Sequence, residues 1–173
     1  AFITRSLAKK VLTDIDDIES SFLAGLMHDV GILVLDNVIP REYYQFLTLK
    51  DLSSSDKPLE LLEEEEFKIS HPEVGAEFIK KWWSLPPKVA SGALAHHGKG
   101  PVKGETLTLN QIVSTANRIA NLNKFNHPVS TAFEDSPEEG YLDALKISQG
   151  ELDIVVDTTI MGLMAAETLL RSR

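Results

Sequence analysis

The chain has no cysteine, which excludes disulfides, thiolate zinc sites and cysteine nucleophiles, and is compatible with a reducing compartment. Basic residues are few: 17 Lys and Arg stand against 26 Asp and Glu, for a net charge of −9. That balance opposes nucleic acid, which needs cations to displace its counterions, and opposes an anionic membrane surface. Uninterrupted apolar runs such as 31–35 and 160–166 are far shorter than a bilayer requires, and no signal peptide is visible. A cytoplasmic chain with no nucleic-acid and no membrane partner is therefore expected. It opens Ala-Phe-Ile rather than with methionine, so an excised piece of something longer is expected too.

What is present is a core-sized apolar content of 43% over 173 residues, enough for one domain without staples. The apolar spacing is helical almost throughout. Helices are expected over 2–12, from Asp16 or Asp17 through Leu26, from Pro40, over 59–67, from His71 to Trp82, from Pro86-Pro87 to His97, over 107–122, from Ser136, and after Gly150. Gly25 faces inward and permits close helix approach, and Gly31 is expected to break or bend the segment before Leu33. Ser70-His71-Pro72-Glu73 has the form of a capping box. The four consecutive glutamates from Glu63 to Glu66 read as a solvated helix face. In Trp82-Trp83, one ring is expected to pack inward and its neighbour, turned about 100° away, to be exposed. The stretch 123–136, with His127, is polar and turn-rich. With no strand, repeat or domain-sized linker in view, the fold class is all-α.

Histidine is scarce, yet four of the five fall in three short clusters: His28-Asp29, His71-Pro72 and His96-His97. Separations of 43 and 25 residues make any meeting between them tertiary. Imidazole and carboxylate together suit iron, manganese, nickel or zinc. Hydrogen-bonded interior histidines are the competing explanation.

The run Ala24-Gly25-Leu26-Met27-His28-Asp29-Val30-Gly31, then His71-Pro72-Glu73-Val74-Gly75-Ala76-Glu77, Leu85-Pro86 and His96-His97, resembles the HDOD family. That family is a degenerate relative of HD-domain phosphohydrolases and HD-GYP phosphodiesterases. The resemblance covers about residues 1–122 and implies an HD-like helical bundle, with 123–173 as a helical extension packed on it. It further implies a metal set drawn from His28, Asp29, His71, His96 and His97, holding one divalent transition metal. Two ligand positions of the parent site are expected to be degenerate: Arg5, whose guanidinium offers no lone pair, and Asn117, a neutral amide in place of a carboxylate. A cation about 6 Å from a metal costs it about 2.8 kcal/mol at an effective dielectric near 20. Arg5 is accordingly expected to pair with Asp29 in place of a metal.

Ile32 stands where HD-GYP proteins carry lysine, and Gly98-Lys99-Gly100-Pro101 replaces their Gly-Tyr-Pro element. Lys99 and Lys103 remain candidate anion contacts, with solvated loop lysines as the plainer account. The expected function is a non-catalytic bacterial signal-transduction module acting on signalling proteins, attached regulatory domains or a nucleotide ligand. The alternative is a metal-dependent phosphohydrolase acting on a nucleotide or cyclic dinucleotide.

Overall fold

A computed structural model describes residues 1–49, 52–125 and 136–171. His127 and most of the polar stretch around it lie outside the described residues. Among the described residues there is no strand, and the helices are α1 (Phe2–Val11), α2 (Ile15–Met27), α3 (Val30–Val38), α4 (Pro40–Leu49), α5 (Leu59–Phe67), α6 (His71–Trp82), α7 (Pro87–Ala95), α8 (Leu109–Leu122), α9 (Tyr141–Leu145) and α10 (Gln149–Arg171). The chain is all-α, as its periodicity requires.

Three apolar clusters hold the helices together. The largest joins Ile3 and Leu7 of α1 to Ile112, Val113 and Ile119 of α8, and takes in Leu145, Leu152 and Val155 from the C-terminal segment. A second packs Val30, Ile79, Val89 and Ala93 where α3, α6 and α7 meet. The third, built on Ile32, Leu35, Tyr43 and Phe46, docks α4 and α5 onto α3. Each fully buried side chain of this size is worth roughly 1.5–3 kcal/mol, so apolar burial sets the helix order and polar contacts refine it.

Several helix boundaries follow local chemistry. Asp14, slightly earlier than expected, caps α2 by accepting the N–H groups of Asp16 and Asp17 at 2.9 and 3.1 Å. The capping box at Ser70 is present: Glu73 Oε2 accepts the Ser70 N–H at 3.0 Å and its hydroxyl at 3.1 Å. The expected helix start at Ser136 is not realised; α9 begins at Tyr141, after Gly140 in the left-handed region at φ +78°. Glu138 is drawn away instead, accepting the Gly100 N–H at 2.7 Å and pairing with Arg118. Ser148 rather than Gly150 opens the last helix, through a reciprocal pair of bonds with Glu151.

The break between α2 and α3 lies at His28 and Asp29, not at Gly31. Gly31 sits inside α3 and serves close approach: a Cβ there would lie 1.9 Å from the His71 carbonyl oxygen. On the other side, a Cβ on Gly75 would lie 3.0 Å from the Gly31 nitrogen. This glycine-to-glycine crossing brings the start of α6 against the α2–α3 break. Gly25 plays the expected part, since a Cβ there would meet Thr4 Oγ1 of α1 at 2.3 Å. By length and composition the stretch Ile15–Val38 is apolar enough to cross a membrane, longer than its uninterrupted runs suggest. Here it is two helices, with Ala24, Gly25, Val30, Ile32 and Leu35 packed against protein.

Neither tryptophan is an inward anchor. Trp82 is 74% exposed, and Trp83, at 42%, lies edge-on to Phe78 with ring centroids 5.1 Å apart. Leu85 and Phe78 close that end of the second cluster in their place.

Candidate metal centre

Three helix ends converge. Asp29 stands at the start of α3, His71 is the first residue of α6, and His96 and His97 follow the end of α7. Apolar packing of α3, α6 and α7 therefore fixes the polar centre, because each site residue is an extension of a helix held by that cluster.

One oxygen of Asp29 and the Nε2 atoms of His71, His96 and His97 lie within 4.8 Å of one another. His71 Nε2 is 3.2 Å from His96 Nε2 and 3.1 Å from His97 Nε2. Asp29 Oδ1 is 3.1 Å from His96 Nε2 and 3.8 Å from His71 Nε2. His28 stands on the other side of the carboxylate, its Nε2 3.1 Å from Asp29 Oδ2, and its ring edge-on to His96.

The hydrogen bonds at the far side of the His28, His71 and His96 rings decide what their Nε2 atoms are. His96 Nδ1 donates to the Ala93 carbonyl at 2.6 Å, and His28 Nδ1 donates to the Gly25 carbonyl at 3.1 Å. His71 Nδ1 donates to Glu63 Oε2 at 2.6 Å. A neutral imidazole so bonded keeps its proton on Nδ1 and turns a bare lone pair on Nε2 toward the centre.

Burial then lowers the pKa of His96 despite the opposing pull of Asp29. His97 is pushed down to about 2, by burial first and then by the neighbouring His96 and His71 rings. For His71, burial also disfavours charge, but Glu63 more than offsets it and the pKa is raised. Burial would raise Asp29; His28 and the contacts from His28 and His96 outweigh it and hold the carboxyl well below the usual range.

A proton on His71 can be shared with His96 and His97. It does nothing for the contact between His96 Nε2 and Asp29 Oδ1, where lone pairs face each other at 3.1 Å. A cation between them resolves it. Ligands about 2.1 Å from a common ion are about 3.0 Å apart at right angles and about 3.6 Å apart at 120°, close to the spacings found here. The donor set fits a divalent transition metal, and nothing in its chemistry distinguishes iron, manganese, nickel and zinc.

Glu63 is the residue that sequence reading missed. It is fully buried, not solvated, and its Oε2 accepts both the ring proton and the main-chain N–H of His71, the latter at 2.7 Å. Its Oε1 accepts the Tyr43 hydroxyl at 2.6 Å. A carboxylate behind a ligand histidine orients the ring and raises its basicity. The available signal was helical spacing: on α5, Leu59, Leu62 and Glu63 share the face that packs inward.

Arg5 is not at the centre. It is exposed and lies over the Phe22 ring, 5.9 Å from its centroid, so it does not pair with Asp29. Helix phase explains this, since Ile3, Thr4, Leu7 and Ala8 are the inward residues of α1. Asn117 does come near, lining a cavity of about 280 Å³ that His28 and Asp29 also line, with Thr4, Phe22 and Ala116. Lys99 is exposed, and Lys103 is exposed and 3.5 Å from Asp143; neither lines that cavity.

The HDOD domain family model matches residues 1–99, more than half of the chain, and the chain belongs to that family. The match ends two residues beyond His97. No curated protein and no solved structure matches the chain.

Proposed function

We propose that this HDOD domain is a regulatory module that holds one divalent transition metal on Asp29, His71, His96 and His97, without hydrolytic activity. The observation that carries the metal is the contact of the bare His96 Nε2 with Asp29 Oδ1, with the Nε2 atoms of His71 and His97 converging on the same point. The ion would supply positive charge and tie the α2–α3 break to the ends of α6 and α7. Its partners are signalling proteins or attached regulatory domains, a reading that rests on family analogy.

The absence of hydrolysis is argued from the far side of Asp29. By family resemblance, the parent superfamily's primary site lies there and uses a bound cation to activate water for phosphoester hydrolysis. His28 remains, but beyond it and Asp29 the lining, which includes Thr4, Phe22, Ala116 and the neutral Asn117, offers no further histidine or carboxylate. No lysine or arginine is among its lining residues to clamp a phosphate.

The second reading is a metal-dependent phosphohydrolase acting on a nucleotide or cyclic dinucleotide. Asp29 favours it, being 38% exposed with Oδ2 toward His28 and the cavity beyond. Tag-free protein should contain, or take up on reconstitution, one transition metal per chain by elemental analysis. It should turn over neither a generic phosphodiester nor cyclic dinucleotides above the level of Asp29→Ala. Metal-dependent turnover abolished by Asp29→Ala would establish the hydrolase, and protein that takes up no metal would end both readings.

A further inference from the structure

We propose that the cavity beyond Asp29 is a binding site for a flat, amino-bearing nitrogen heterocycle of single-base size and without phosphate, with adenine as its type. The proposal goes beyond the single-metal reading and does not rest on it, since Asp29 turns Oδ1 toward His96 and Oδ2 toward His28.

Residues of α1, α2, α8 and α10 line this cavity of about 280 Å³. That is the small end of the range for ligand pockets, roughly 300–1,000 Å³, so it suits one ring system and not a dinucleotide. The apolar part of the wall includes Phe2, Phe22 and Phe125, the first two meeting edge to face at 5.6 Å. Aromatic side chains favour a flat ring, because every nucleobase has a π-face to offer them.

The polar part of the wall selects the edge of that ring. Asn117 and Asn121 lie one turn apart on α8 and both line the cavity, with the small Ala116 and Ala120 beside them. Among the described residues neither carboxamide has a hydrogen-bond partner. A carboxamide sets an N–H beside a C=O, and that pattern pairs with an amino group next to a ring nitrogen, as on adenine. His28 Nδ1 is committed to the Gly25 carbonyl, so His28 Nε2 and Asp29 Oδ2, 3.1 Å apart, are two acceptors with no donor between them. An amino group supplies that donor.

Charge decides against a nucleotide. Asp29 contributes a carboxylate, and no lysine or arginine side chain lines the cavity. The Ala1 amino group, also on the wall, donates to the Gly25 carbonyl at 3.2 Å. A phosphate would stand near an anion without the charged donors that ordinarily hold it.

The test titrates the full chain calorimetrically with adenine and with adenosine 5′-monophosphate, alongside Asn117→Leu and with the metal content of each sample measured. Adenine should bind saturably, one per chain, and the monophosphate about tenfold or more weaker. Asn117→Leu fills space and removes one carboxamide, so it should weaken adenine by about tenfold or more while metal content stays unchanged. Should Asn117→Leu fail to fold, Asn121→Leu makes the same change one turn away and should give the same loss.

No adenine binding at millimolar concentration by folded wild type would overturn the proposal. So would equal affinity in a folded variant, which would put the adenine elsewhere, or a monophosphate that binds as tightly as the free base. The metal content of the same samples reports on the single-metal reading separately.

Discussion

Glu63 Oε2 receives two hydrogens from one residue, the main-chain N–H of His71 at 2.7 Å and its ring Nδ1–H at 2.6 Å. Tyr43 occupies the other oxygen. One carboxylate thus fixes the first residue of α6, the tautomer of its ring and the docking of α4. Glu63→Ala strands three buried donors and should cost about 3–5 kcal/mol. Tyr43→Phe removes a single donor and should cost about 1–3 kcal/mol. Urea denaturation of the metal-free protein measures both. A Glu63→Ala variant within about 0.5 kcal/mol of the wild type, the range of an ordinary surface change, would show that the network has no structural weight.

The segment after the paired histidines is held from beyond the family-matched region. Gly98 oxygen accepts from Ser114 Oγ at 2.7 Å and from Arg118 Nη2 at 2.8 Å, while Glu138 takes the Gly100 N–H and pairs with Arg118. Glu138→Ala should therefore loosen 98–100 and, one residue back, His97. Glu138 is 41% exposed, so the stability loss should be only about 1 kcal/mol. Faster amide hydrogen exchange at 98–100, with exchange in α6 unchanged, is the expected signature. Unaltered exchange there would mean that the clamp is not what orders the segment.

Acid should loosen α10 through Glu151. Its pKa is lowered from 4.5 to about 2, first by the Ser148 N–H and then by Lys10, which donates from α1 at 3.1 Å. A depressed carboxyl pKa stabilises the fold fully above its unfolded value, and that contribution is lost as pH falls through the folded value. The melting temperature of the wild type should thus exceed that of Glu151→Gln by a constant margin above about pH 5. The margin should shrink below 4.5 and vanish near 2. An equal margin at pH 3 and pH 7 would exclude this linkage.

Much was legible in the residues alone. Helical spacing gives the all-α class, the Ser70 box marks the start of α6, and the Gly25 position predicts a close helix approach, whose partner the fold then supplies as α1. These are local properties, set by side-chain periodicity and by hydrogen bonds spanning three or four residues. Residue order alone shows that the scarce histidines are grouped with one another and with Asp29.

What they meet was decided only in three dimensions. Arg5 turned outward because one helical turn holds residues of every orientation, and four inward neighbours fixed the phase of α1. Glu63 turned inward from a run of identical glutamates, since α5 docks through Leu59, Leu62 and Phe67 and carries one carboxylate with them. Glu138, expected in the first turn of a helix opened by Ser136, instead bonds a loop 38 residues away. Charge at the centre was likewise settled by packing. The crossing of Gly31 on Gly75 sets how closely Asp29 and His71 approach, and interactions that depend on separation in space cannot be read from separation along a chain.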